Sequence, residues 1–168
     1  MGMKRKTKVA AAVVLSFVML FSGVLTAQAK KFNPPPREFE HDGSISQVYA
    51  NVDITKTNSK ARFKGETNWA WCGANPYTAQ WIHLDDEFYV LSKTGTSFSI
   101  SATGFGVGYS QSVNTAHVTW DRYNHWGIFG TFDIERPGTN ITTARMTVTG
   151  ATKVYSDSNP VYGSICSD

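Results

Sequence analysis

Four histidines, an acidic triplet and two cysteines are the side chains of this chain best equipped for chemistry, and spacing decides how far they go. His83, His117 and His125 could ligate a metal or carry a proton, yet no HExxH or HxH spacing relates them. His41 falls in a proline-rich stretch and is read as incidental. Strand alternation puts His117 on one face with Thr115 and Thr119, opposite Ala116 and Val118. Asp85-Asp86-Glu87 reads as the solvated tip of a hairpin between Trp81–Leu84 and Phe88–Leu91. An oxygen-ligand Ca²⁺ site and a short helix are the competing readings of that triplet. Neither Asp121, Asp133 nor Glu135 is singled out as its acid/base partner. No GxSxG elbow exists for nucleophilic catalysis. Gly104, Gly106 and Gly108 are followed by a further strand pattern where a phosphate loop needs a helix. The expected catalytic, metal and cofactor sets are therefore all none.

Cys72 and Cys166 are the only cysteines, and no CxxC pattern involves them. In an exported chain an even pair reads as a disulfide. Cys72–Cys166 would close a loop of about 95 residues, worth roughly 4–5 kcal/mol in the chain-entropy account.

Aromatic side chains are the remaining clue. Five Trp and seven Tyr join the Phe residues, eight of which lie beyond residue 29. A domain of this size cannot easily bury them all, so some should line a surface. Trp69, Trp71, Tyr77 and Trp81 are the expected binding residues, Trp69 and Trp71 sharing a face by their spacing of two.

The elements that must carry these residues are strands. From Ser97 to Trp120, Phe98 and Ile100, then Phe105, Val107 and Tyr109, then Val113, Ala116, Val118 and Trp120 alternate with Ser, Thr and Gly. Ile45–Ile54, Ala61–Phe63 before a break at Gly65, and Asn68–Tyr77 precede it. Trp126–Ile134 follows, then a turn at Arg136-Pro137-Gly138, then Ile141–Val148 and Thr152–Tyr155 broken at Gly150. No helix-period segment occurs beyond residue 30. The expected fold is all-β, a single antiparallel β-sandwich or small barrel with one disulfide.

Residues 1–29 read as a secretory signal peptide. Lys4, Arg5, Lys6 and Lys8 precede the apolar Val9–Leu25, and Ala27-Gln28-Ala29 is a small-x-small cleavage site. An uncleaved anchor is the alternative, since the apolar run sits at the lower edge of spanning length. This start resembles that of small secreted proteins of Gram-positive bacteria, which implies a secreted, extracellular product. Residues 30–42, with three consecutive prolines, are expected as an extended leader, and 43–168 as one β domain. Four of the sixteen Lys plus Arg and none of the thirteen Asp plus Glu lie in 1–29, so the remainder carries net charge −1. That removes the basic face nucleic acid requires. Lys56, Lys60, Arg62 and Lys64 read as a guarded strand edge. Asn140-Ile141-Thr142 is taken as a chance match to the glycosylation pattern.

Together these features describe a small secreted non-catalytic binding module for a glycan, cell-wall or protein partner. Two other readings have a basis in the residues. Ser97–Trp120 has the alternation of an amphipathic membrane hairpin, which makes a toxin or membrane-active protein the first alternative. An extracellular hydrolase is the third. Oligomeric state is left open by the sequence.

Overall fold

The computed structural model describes residues 27–41, 44–73, 78–154 and 159–167, and everything below concerns these. Twelve strands follow one another with no helix among the described residues: β1 Gln28–Phe32, β2 Arg37–His41, β3 Ser44–Lys56, β4 Lys60–Trp71, β5 Ala79–Leu91, β6 Thr94–Gly95, β7 Ser99–Gly104, β8 Val107–Gln111, β9 Thr115–His125, β10 Gly127–Thr139, β11 Thr143–Lys153 and β12 Val161–Cys166. They form two antiparallel sheets. A seven-stranded sheet runs β1–β3–β4–β10–β6, with β2 also on β3 and β7 also on β10. A five-stranded sheet runs β12–β11–β5–β9–β8. The all-β expectation holds, and the arrangement is the sandwich.

Alternation explains which face each strand buries. Along β5, Ile82, Leu84, Phe88 and Val90 are buried, while Trp81, His83, Asp85, Glu87 and Tyr89 face outward and are partly exposed. Between the sheets Phe88 meets Phe63 and Phe132 edge-on, at centroid distances of 5.2 and 4.8 Å. Two tryptophans fill the flanks. Trp69 stacks on Phe39 at 5.5 Å and donates its indole N–H to Thr152 Oγ1 at 2.7 Å. Trp120 donates to the Thr103 carbonyl at 3.2 Å, beneath Gly104 and Gly130.

Several expected breaks are continuous strand. Asp85-Asp86-Glu87 lies mid-way along β5, so the hairpin with an acidic tip does not form. Asp86 points into the core, fully buried, and accepts a 2.6 Å bond from Thr67 of the opposite sheet. Burial pushes its carboxyl well above the usual carboxylate range, the Thr67 bond partly opposing this. β4 runs through Gly65, β10 through Pro137-Gly138 and β11 through Gly150. Gly138 N–H donates to Ser59 O, so by the two-residue period the missing N–H of Pro137 points away from β4 and costs that ladder nothing.

Within residues 30–42, expected as an extended leader, Lys30–Phe32 and Arg37–His41 are paired strand: β1 and β2 lie end to end along β3. Ala27 to Ala29 are described and Gln28-Ala29 belong to β1, while residues 1–26 of the expected signal peptide lie outside the described residues. Ser97–Trp120 does not form one sheet face. β7 joins the seven-stranded sheet and β8 the five-stranded one, and Phe105, Val107, Tyr109 and Val113 are exposed. No helix among the described residues is long and apolar enough to cross a membrane.

The disulfide is not formed: Cys72 and Cys166 are both free and exposed. Their places in the sandwich explain it. Cys72 follows Trp71, which pairs with Ser46, and Ser46 Oγ bonds Thr152 Oγ1 at 2.9 Å. Cys166 pairs instead with Thr147, five residues back along β11. At about 3.3 Å per residue that separates the two ends by roughly 16 Å, far beyond disulfide reach.

Candidate functional site

A cluster of polar side chains and aromatic rings lies on the outer face of β5 and β9. Antiparallel register sets Trp81 opposite Tyr123, His83 opposite Asp121, Asp85 opposite Thr119 and Glu87 opposite His117. Ile82, Leu84, Ala116, Val118 and Trp120 take the inward positions, which forces these partners outward. The expected grouping of His117 with Thr115 and Thr119 is observed.

Asp121 is the organising group. Its Oδ1 accepts the Trp81 indole N–H at 3.0 Å and lies 2.9 Å from His83 Nδ1. Trp81 and His83 stack at 5.5 Å with 17° between their planes. The three side chains hold one another in place at the surface, and Tyr123 extends the aromatic surface with 65% exposure. Beyond His83 the row continues through Ala151 to Tyr162, also 65% exposed. Ala151 points outward yet is 2% exposed, so its neighbours' side chains cover it. Toward the other end of the strands, Asp85 lies 3.0 Å from His117 Nδ1 and Glu87 3.8 Å from Nε2.

This arrangement presents rings and fixed acceptors. Among the described residues no Ser, Thr or Cys side chain bonds either imidazole, and no group of three His, Cys, Asp or Glu is placed to hold a metal ion.

Of the expected binding residues that are described, Trp81 alone lies on this face. Trp69 is completely buried and Trp71 is 6% exposed, both as core residues, which corrects their assignment as surface contacts. Their shared face is the inward one. Tyr77 lies outside the described residues. Sequence reasoning did not select Tyr123 and Asp121, which register sets opposite Trp81 and His83 from β9, or Tyr162, which lies on β12 across Ala151 from His83. A second group of exposed rings surrounds the β9–β10 corner: Trp126, Phe129, and Phe105 with the Arg122 guanidinium 5.2 Å above it.

The chain matches no protein-family model and no curated protein. Among solved structures, it is similar to the KRT10-binding region domain of the pneumococcal serine rich repeat protein PsrP, at 9% identity over 84% of this chain and 97% of that one, with a TM-score of 0.44. It is also similar to the collagen-binding domain of a Staphylococcus aureus adhesin, at 11% identity over 65% of this chain and 87% of that one, with a TM-score of 0.32. At these values the functional reading rests on the site's own geometry.

Proposed function

We propose that this chain is a non-catalytic extracellular binding module that takes a glycan on the outer face of its five-stranded sheet. The observation that carries the reading is the cross-strand pair Trp81–Tyr123 with Asp121 beneath it. Ring faces at the surface stack on the C–H faces of a sugar, and a carboxylate beside them accepts its hydroxyls. Both bonds to Asp121 end on Oδ1, which leaves Oδ2 as the acceptor for a ligand hydroxyl. Prior fixing of Trp81 by Asp121 and His83 reduces the ordering cost of binding. The signal-peptide pattern of residues 1–29 supports an extracellular setting.

Co-sedimentation with purified bacterial cell walls, with liposomes in a parallel tube, tests this directly. Pelleting with walls, reversed by soluble wall fragments and lost in Trp81→Ala and Tyr123→Ala, is the expected result. Pelleting that both variants retain would move the site elsewhere. Pelleting with liposomes alone would replace it with the membrane-active reading.

A further inference from the structure

Among the described residues strand β8 leaves one edge of the five-stranded sheet without a paired strand, and its hydrogen-bond phase shows which groups that edge offers. Gly106 O accepts from Asp121 N–H, and Ser112 N–H donates to Thr115 O. Antiparallel bonds repeat every second residue, so Gly108 and Ser110 turn their backbone groups toward β9. Val107, Tyr109 and Gln111 therefore turn N–H and C=O outward to solvent.

Natural edge strands are usually protected by charge, proline or a covering element. β1 carries Lys30 and Lys31, and β2 carries Arg37, Glu38 and Glu40. The edge at β12 is flanked by Phe39, which packs where a side chain on Gly163 would sit. β8 and its flanks, FGVGYSQSV over 105–113, contain neither a charge nor a proline. Phe105, Val107, Tyr109 and Val113 are 65, 41, 72 and 81% exposed. All four occupy odd positions, together with Gln111. An antiparallel copy of β8 centred on Tyr109 sets Tyr109 against Tyr109 and Val107 against Gln111, while Phe105 in the turn before the strand and Val113 in the bend after it flank its ends. Gly108 and Ser110 meet on the other face, where both are small. No charge opposes a like charge anywhere in this register.

We propose that β8 is a docking edge for a second copy of this chain, the two β8 strands pairing about Tyr109 to join two five-stranded sheets into one. The symmetry is isologous and closes at two copies. Each Tyr109 offers an outward N–H and C=O, so the central rung is a hydrogen-bonded pair. The exposed Val107 and Tyr109 side chains gain cross-strand neighbours in this pairing. This inference is independent of the glycan-face proposal.

Sedimentation equilibrium of the intact chain under reducing conditions, from about 1 to 300 μM, tests it across the affinity range of a modest interface. The expected mass rises from one copy to two over this range. Tyr109→Lys sets two ammonium groups against each other, and Tyr109→Pro removes an N–H that β9 does not use. Each should raise the dissociation constant at least about tenfold. Tyr162→Lys on β12 should leave it unchanged, and circular dichroism confirms folding of each variant. A mass of one copy at the highest concentration overturns the proposal, as does a dimer that a folded Tyr109→Lys variant leaves intact.

Discussion

A Cβ atom on Gly150 would lie 2.0 Å from the indole of Trp69. The ring has no easy retreat, held by Thr152 through its N–H and stacked on Phe39. Gly150→Ala is therefore expected to destabilise the sandwich by about 3 kcal/mol through overpacking, measured by chemical denaturation. A loss below about 1 kcal/mol would show that Trp69 can shift at little cost.

Asp86 links stability to pH. Its folded-state carboxyl titrates well above the unfolded value because burial disfavours the charge. With the folded pKa raised, its contribution is fully present below the unfolded carboxylate range and is lost as pH rises through the folded pKa. Asp86→Asn should lack that decline. The difference between wild type and variant should change by up to about 1.4 kcal/mol per pH unit within that window. Parallel stability curves from acid to neutral pH would contradict a buried neutral Asp86.

Arg136 is 2% exposed and has neutral partners. It donates to the carbonyls of Val90 and Thr96 and to Asn114 Oδ1, with its guanidinium 5.1 Å over the Phe98 ring. Burial lowers its pKa from the ordinary arginine value. Arg136→Met keeps much of the apolar stem and strands these acceptors, so a loss of about 3 kcal/mol is expected in denaturant titrations. A change under about 1 kcal/mol would mean that water reaches the vacated carbonyls.

With Cys72 and Cys166 both free and set about five strand residues apart, stability should be indifferent to reductant. The Cys72→Ser, Cys166→Ser double variant should unfold within about 0.5 kcal/mol of the parent, with and without dithiothreitol. A clear drop on reduction, or mass spectrometry finding fewer than two free thiols in the monomer, would restore a bond to the account.

Much of the fold was legible because alternation is local. Ala116, Val118 and Trp120 among Thr115, His117 and Thr119 are a strand pattern with no knowledge of the partner sheet. Reading Gly65 and Gly150 as breaks failed for one reason. Glycine marks a place without a side chain, and only its tertiary neighbours, in the opposite layer or the adjacent strand, show what occupies it. At Gly150 that is Trp69, and at Gly65 the backbone of Asn51 and Val52, where a Cβ would lie 2.2 Å from the Asn51 carbonyl oxygen. Asp86 misled similarly: an acid between two acids reads as solvated until Thr67 arrives from the other sheet.

The amino-acid sequence by itself determined that the domain is built of strands and that those such as β9 have one apolar face, since the period of two is written residue by residue. Tertiary structure alone decided which aromatic rings reach solvent. Trp69 and Trp81 are both tryptophans on amphipathic strands, yet one fills the space above Gly150 and the other lies beside Asp121 at the surface. The physical reason is that burial depends on the layer a face is turned toward, and that layer is assembled from residues far away in the chain.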